Sequence, residues 1–326
     1  MNNSSASSGT GPWQVDLSLA EFIIWASACI LVALAATVGN ILVIGAFWRA
    51  VNLQSRLHYF VVGLSAADIM VGCVSIPMWV YILYLTWRKR HMAFSLGRAY
   101  ETMDVFAAVN SILHLMAVST ERLYATLRPH SWNQRSYSKR IYFGFLLIIW
   151  TLSAIIASLF ALPSEGATPN VRFHLMNTFF FLPLGVICMT YVAIWCDFKR
   201  RMHGRTGHDR STKLTFTLFI VIGLFVVTWL PFFVVRFVLQ ECAMFCISWR
   251  FFYFTKFLHF SNSGLNPIVY GFRIPEYRSF MLHFIGFRRT PSEVTNHVTA
   301  AVMRQRSVSD ATQAGKRYSE NVTVAV

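Results

Sequence analysis

Residues 104 to 122 read Asp104-Val-Phe-Ala-Ala-Val-Asn-Ser-Ile-Leu-His-Leu-Met-Ala-Val-Ser-Thr-Glu121-Arg122, an apolar stretch with one acid at its start and an acid–base pair at its end. In a helix that rises 1.5 Å per residue, Asp104 and Arg122 lie about 27 Å apart, which approaches the thickness of a bilayer core. Because a buried charge is costly in a membrane helix, an acid in such a stretch usually marks a functional site. The stretch therefore predicts a membrane protein that binds a ligand near one face and responds at the other.

The composition is that of a membrane protein. Hydrophobic residues make up 55% of the 326 residues and charged residues only 13%, against about 25% charged in a soluble domain. The apolar residues fall into seven blocks, each near or above the roughly 20 residues that cross a bilayer as a helix. These blocks are roughly residues 22–47, 57–85, 98–126, 141–162, 174–198, 212–240 and 248–271. We therefore predict an all-α fold, a bundle of seven transmembrane helices.

The distribution of basic residues predicts the orientation. Lys and Arg concentrate after the first, third, fifth and seventh blocks, and the positive-inside rule places these segments in the cytoplasm and the N-terminus outside the plasma membrane. The predicted organisation is an extracellular segment 1–21, the bundle 22–271, an amphipathic helix 272–285 and a disordered tail 286–326. Asn2 and Asn3 begin glycosylation sequons.

Short motifs occur in order along all seven blocks. They are Gly39-Asn40, Leu64-Ser-Ala-Ala-Asp68, Glu121-Arg122-Leu123, Trp150, Pro183 with Tyr191, Phe225-Val-Val-Thr-Trp229-Leu-Pro231 and Asn266-Pro-Ile-Val-Tyr270. Together they resemble the rhodopsin-like (class A) G protein-coupled receptors, and the resemblance covers residues 22–284. It implies a receptor without enzymatic activity whose partner is a heterotrimeric G protein.

The resemblance also implies which residues transmit the signal. Trp229 matches the toggle residue below the ligand pocket, and Arg122 matches the arginine that turns toward the G protein while Glu121 holds it at rest. The remaining switch and coupling residues are Ile112, Pro183, Phe225, Tyr191 and Tyr270. Leu123 replaces a frequent Tyr, and Ser211 stands where an acid often locks the arginine. We therefore expect basal signalling above that of mock-transfected cells, and an equal signal would contradict this.

The eighteen-residue spacing of Asp104 from Arg122 matches the amine-binding aspartate of the biogenic amine receptors. The resemblance places the pocket at Asp104, Trp229, Phe232, Phe233, Lys256 and Phe260. A carboxylate beneath apolar walls suits an ammonium group, and aromatic rings add cation–π attraction. Two interpretations of Asp104 remain open, because it either binds the ammonium of a ligand or forms an internal ion pair with Lys256.

The chain also departs from the amine receptors. Leu175, Met176 and Phe179 replace the serines that bind catechols, and Gly97 replaces the cysteine that usually tethers the third helix. Cys242 and Cys246 predict a local disulfide in the last outer loop, which is oxidising. The alternative ligand is an acidic lipid or peptide that binds Lys256, Arg236, Arg98 and the basic first outer loop, residues 88–91, with its ammonium on Glu101.

Asp68 is a second acid within the apolar blocks. The resemblance surrounds it with Asn40, Ser111, Asn262, Ser263 and Asn266, as in the sodium site of the family, and oxygen ligands around one carboxylate suit a hard cation. Sodium is the only non-protein component that the sequence predicts. A water-filled network around a neutral Asp68 is the alternative.

Other classes of protein fit poorly. An opsin requires a lysine where Phe260 stands, and no repeat suggests a transporter. His114, His174 and His259 have no metal-binding spacing and are interpreted as core or pocket-wall residues. The net charge of +15 reflects the basic residues of the predicted cytoplasmic segments, which are attracted to the anionic lipid of the inner membrane leaflet. No soluble domain is predicted that could bind nucleic acid.

The tail predicts regulation. Ser307 in Arg304-Gln-Arg-Ser307 resembles a target of basic-directed kinases, and Val324-Ala-Val326 resembles a ligand of PDZ-type proteins. The family resemblance adds arrestin as a partner.

Overall fold

A computed structural model describes residues 16–49, 56–128, 139–161, 169–202, 210–242, 247–273 and 275–284. Helices are the only regular elements in these ranges, so the all-α prediction is confirmed. Helix α2 is a continuous run of Arg56–Met70, a π-helical turn Val71–Ser75 and Ile76–Trp87. The others are α1 (Leu19–Arg49), α3 (Phe94–Leu127), α4 (Lys139–Ala161), α5 (Pro169–Met202), α6 (Arg210–Glu241), α7 (Trp249–Arg273) and α8 (Pro275–Phe284).

Five helices, α1 to α5, are long and apolar enough over their described residues to cross a membrane. Helix α6 contributes a shorter apolar stretch in its described part, Gly223–Leu239. Helix α7 is not one of the five, and it carries polar residues such as Lys256, His259 and Asn266. Because α6 and α7 pack against each other and α7 packs against α1, the helices form one bundle.

Helix α3 lies at the centre of the bundle. It packs against α2, α4 and α5, and 67% of its most apolar window is buried, against 28% for α1 and for α4. The outer helices expose large apolar side chains, among them Ile24, Leu31 and Leu147, as expected of a surface that faces lipid rather than water. The central position of α3 places both ends of the 104–122 stretch where several helices converge.

The π-helical turn in α2 follows Asp68 by three residues. Pro77 stands in the first turn of the segment that begins after it. A proline has no N–H and its ring clashes with the carbonyl four residues earlier, here that of Cys73, so a local widening of the helix relieves the clash. No pattern in the sequence predicts this turn. It sets the direction of the second half of α2, which carries Trp79 to the site described below.

Gly39 allows α1 and α7 to approach closely. A Cβ atom at Gly39 would lie 2.8 Å from the ring of Pro267, closer than real side chains approach. The approach brings the next residue, Asn40, against α7, where its Nδ2 donates to the Ser263 carbonyl at 3.1 Å. The glycine of the Gly39-Asn40 motif thus positions part of the polar cluster around Asp68.

Candidate ligand-binding and signalling site

A cavity of about 280 Å³ opens between α2, α3, α5, α6 and α7 at the end of the bundle that carries Asp104. Its wall is mostly apolar, and four charged side chains, two acids and two bases, converge on it. The lining residues are Trp79, Ile82, Met92, Gly97, Tyr100, Glu101, Asp104, Val105, Met176, Phe232, Arg236, Phe252 and Lys256.

Asp104 and Lys256 form an ion pair on the floor of this cavity. Lys256 Nζ donates to Asp104 Oδ2 at 2.6 Å, and the two side chains are 2% and 12% exposed. Of the two interpretations of Asp104, the internal pair is the one present in this structure. A buried charge requires a close partner, and each of these groups supplies the one that the other needs.

An aromatic shell surrounds the ammonium of Lys256. Its Nζ lies 4.5 Å from the ring centroid of Phe232, 4.7 Å from Phe260, 5.5 Å from Tyr100 and 6.0 Å from Trp79. Rings at these distances attract a cation through their electron-rich faces. Carboxylate and rings together form a site shaped to hold an ammonium group.

His259 connects this site to Trp229. Its Nδ1 lies 3.2 Å from Lys256 Nζ, and its ring meets that of Trp229 edge-on at 4.2 Å and stacks on Phe232 at 4.9 Å. From the sequence, His259 is expected only to be a core or pocket-wall residue. Its position one helical turn after Lys256 was the signal that could have identified it.

A second, looser ion pair lies in the same cavity. Arg236 Nη2 is 3.8 Å from Glu101 Oε1, and the side chains are 38% and 40% exposed. Arg236 also contacts the sulfur of Met176 at 3.9 Å. Because Glu101 precedes Asp104 by three residues, both acids lie on one face of α3.

Three of the predicted pocket residues, Trp229, Phe233 and Phe260, do not line this cavity. The Phe233 ring stacks on that of Phe180 at 3.6 Å, and Phe233 borders a smaller cavity with Ile112 deeper in the bundle. Trp229 lies in the same aromatic layer, with its ring 5.3 Å from that of Phe225. Of the predicted switch residues, Ile112 and Phe225 thus lie in one core cluster with Trp229, and Pro183 is buried within α5.

Asp68 lies in the polar cluster that the sequence predicted. Asn266 Nδ2 donates to Asp68 Oδ2 at 2.8 Å, whereas Asn262 Oδ1 accepts from Thr228 at 3.3 Å. Three buried oxygens of this cluster have no hydrogen-bond partner among the described residues. They are Asp68 Oδ1, Asn40 Oδ1 and Ser111 Oγ. Oxygens of this kind fit a hard cation.

The opposite end of α3 carries Glu121 and Arg122. Glu121 and Tyr191 both lie within electrostatic range of the Arg122 guanidinium, and Tyr270 is buried with its ring 6.1 Å from that of Tyr277 in α8. The predicted coupling residues of α3, α5 and α7 therefore gather at one end of the bundle. The side chain of Ser211 lies outside the described part of the chain.

Cys242 is disulfide-bonded, and Cys29, Cys73, Cys188 and Cys196 are free. The predicted partner Cys246 lies outside the described residues, as do Asn2, Asn3 and the tail 286–326.

The family of the chain follows from comparison with known proteins. Residues 39–270 match the model of the "7 transmembrane receptor (rhodopsin family)". The chain therefore belongs to this family: it is a multi-pass membrane protein and a G protein-coupled receptor for a small ligand, and it is not an enzyme.

Particular relatives are receptors for small molecules. The chain is similar to a D(1B) dopamine receptor of Xenopus laevis, with 24% identity over 79% of the chain and 69% of the relative. It is also similar to 5-hydroxytryptamine receptor 6 of Rattus norvegicus, with 27% identity over 74% and 66%. Adenosine receptor A2a of Canis lupus familiaris is 26% identical over 76% and 68%. The chain thus spans about two thirds of the length of these relatives.

Proposed function

We propose that this receptor is activated by a small extracellular ligand whose ammonium group takes the place of Lys256 Nζ against Asp104. The observation that carries the proposal is the ammonium already bound there, 2.6 Å from the carboxylate and inside the aromatic shell. The similarity to receptors named for dopamine and 5-hydroxytryptamine supports it. The N-terminus and the cavity face outward, and Arg122 faces a heterotrimeric G protein.

Displacement of Lys256 supplies a route to activation. His259 touches both Lys256 and Trp229, so movement of the ammonium changes the packing against α6. Trp229 in turn stacks on Phe225, and Pro231 follows Trp229 by two residues in the interior of α6. A ligand shifts the equilibrium between the inactive and active receptor only if it binds the two states with different affinity. The ligand that we propose has this property, because its ammonium binds Asp104 only in the state in which the Asp104–Lys256 pair is broken.

Asp104→Asn is expected to weaken the response to amines by about 100-fold, because a charged hydrogen bond at a buried site is lost. Asp104→Glu keeps the charge and is the matched control, expected to retain part of the response. G protein activation by a panel of amines, normalised to surface expression, measures the effect. An amine that activates the wild type and Asp104→Asn equally refutes the proposal.

An acidic ligand is the second candidate. Two cations, Lys256 and the partly exposed Arg236, line the cavity, and both suit a carboxylate or phosphate. In that case anionic lipids or acidic peptides activate the receptor, amines do not, and Lys256→Ala abolishes the response.

Sodium is proposed as an allosteric ligand at Asp68. Its coordinating oxygens are those of Asp68, Asn40 and Ser111, with Ser263 and Asn266 beside them, and the ion neutralises the buried carboxylate. We expect sodium to lower agonist affinity relative to choline at equal ionic strength, and Asp68→Asn to remove the difference. An unchanged sodium effect in Asp68→Asn assigns the ion elsewhere.

The remaining partners stay predictions. Phosphorylation at Ser307, arrestin, a PDZ-type protein at Val326 and glycosylation at Asn2 or Asn3 all involve residues outside the described ranges. Mass spectrometry of the receptor from cells tests the two modifications directly.

A further inference from the structure

We infer that the ligand is a zwitterion, with an ammonium for Asp104 and an acidic group for Lys256 and Arg236. This inference rests on the proposed function and names the ligand class more closely. It follows from the charge balance of the cavity, in which two acids and two bases compensate one another.

The four charges are arranged as two walls. Glu101 and Asp104 both belong to α3, one turn apart, whereas Arg236 belongs to α6 and Lys256 to α7. The acids lie on the α3 side of the cavity and the bases on the α6 and α7 side, and they meet as two ion pairs, Lys256–Asp104 at 2.6 Å and Arg236–Glu101 at 3.8 Å. A molecule that enters between the partners of a pair meets a negative group on one side and a positive group on the other, which is the charge pattern of a zwitterion.

A simple amine would unbalance this arrangement. If it took Asp104, Lys256 would lose its carboxylate at a position where only 2% of its side chain reaches solvent. Arg236 acts on Lys256 with the same sign of charge, and the neighbouring His259 supplies no negative charge. An unpaired buried cation is strongly unfavourable, so the affinity gained at Asp104 would be largely lost at Lys256.

A simple acid fails for the complementary reason. It would add a negative charge to a cavity in which both bases already have carboxylate partners. A zwitterion replaces the Lys256–Asp104 pair with two new ones, its ammonium against Asp104 and its acidic group against Lys256, and the net charge of the cavity does not change. Arg236, whose pair with Glu101 is loose at 3.8 Å, is the second base for the acidic group.

The cavity also limits size and shape. Its volume of about 280 Å³ lies at the lower end of the range for small-molecule sites. Phe232, Phe252, Met176 and Val105 supply apolar wall. A hydrophobic or aromatic amino acid, with one apolar side chain and both charges on a short backbone, matches this combination.

The test uses sets of three compounds that share one skeleton and differ only in charge. One set is phenylalanine, phenethylamine and 3-phenylpropionate, and the other is tryptophan, tryptamine and indole-3-propionate. G protein activation is measured on the full-length receptor in cells for wild type, Arg236→Gln and Asp104→Asn, with surface expression quantified for each. Arg236 is partly exposed, so its replacement tests the acid-binding wall without leaving a fully buried charge unpaired.

On the wild type, an amino acid is expected to be more potent than its amine and its acid by about tenfold or more, because two charge-assisted interactions replace one. In Arg236→Gln this advantage over the amine is expected to shrink severalfold. The zwitterion hypothesis is overturned if an amine is as potent as its amino acid, or if the advantage of the amino acid is unchanged in Arg236→Gln. It is also overturned if none of the six compounds activates the receptor.

The outcomes separate the two proposals. If amines are as potent as amino acids and depend on Asp104, the zwitterion is wrong and the proposed function stands. If Asp104→Asn leaves every response unchanged, the proposed function itself fails.

Discussion

Lys256→Met is expected to destabilise the receptor by about 3–5 kcal/mol, because it leaves the buried Asp104 carboxylate without its partner. Lys256 is 2% exposed and Asp104 9% exposed, so water cannot replace the missing ammonium without a rearrangement of the cavity floor. Thermal unfolding of the detergent-solubilised receptor measures the effect through a thiol-reactive dye. The buried free thiol of Cys29, 1% exposed, is a natural reporter.

The matched control removes both charges. The double variant Asp104→Asn/Lys256→Met is expected to recover most of the stability, because buried ion pairs contribute little net stability over a neutral pair of similar volume. A double-mutant cycle gives the coupling energy directly. Equal unfolding temperatures for wild type and Lys256→Met would refute the predicted cost of leaving Asp104 without its partner.

The same variant links stability to ligand chemistry. In Lys256→Met the space of the ammonium is vacated while Asp104 and the aromatic shell remain. Propylamine at millimolar concentration is therefore expected to raise the unfolding temperature of Lys256→Met by mass action, and to leave the double variant unchanged. Rescue of both variants to the same extent would indicate nonspecific binding.

The internal pair also bears on ligand affinity. A ligand that competes with Lys256 for Asp104 pays for the displaced pair, so its apparent affinity is reduced by the fraction of receptor in which Asp104 is free. A ligand that offers Lys256 a new partner avoids most of this cost. The expected affinity of a ligand class therefore depends on whether the ligand offers Lys256 a new partner, which the Asp104 motif alone does not indicate.

Much of this architecture follows from local sequence. The 104–122 stretch predicts a long helix with polar ends, and α3 runs from Phe94 to Leu127. The polar cluster at Asp68 follows because Asn40 and Asn266 recur at family positions and a buried carboxylate needs partners nearby. These predictions depend on which buried polar side chains need hydrogen-bond or ionic partners, and the sequence contains that information.

The choice of partner for Asp104 could not be settled from sequence. Lys256 is 152 positions away, and whether its long side chain reaches the carboxylate depends on the relative rotation of α3 and α7. Phe233 illustrates the same limit, since adjacent residues in a helix point about 100° apart. Only Phe232 therefore faces the cavity, while Phe233 packs on Phe180.

Arg122→Gln is expected to reduce agonist-stimulated G protein activation by about 5- to 150-fold, the range of typical coupling between two sites. Ligand affinity measured without G protein should stay within about twofold, because Arg122 lies about 27 Å along α3 from Asp104 and touches no cavity residue. Nucleotide exchange on purified G protein, with ligand binding measured in parallel, separates the two effects. Basal signalling should fall together with the agonist response.

Arg128 provides the control for Arg122. It stands at the C-terminal end of the same helix and is exposed, so Arg128→Gln removes an equal charge from the same region without touching Tyr191 or Glu121. It is expected to keep most of the exchange activity. If both variants lose activity alike, the loss reflects the general positive charge of this end of the bundle, and the specific role of Arg122 is refuted.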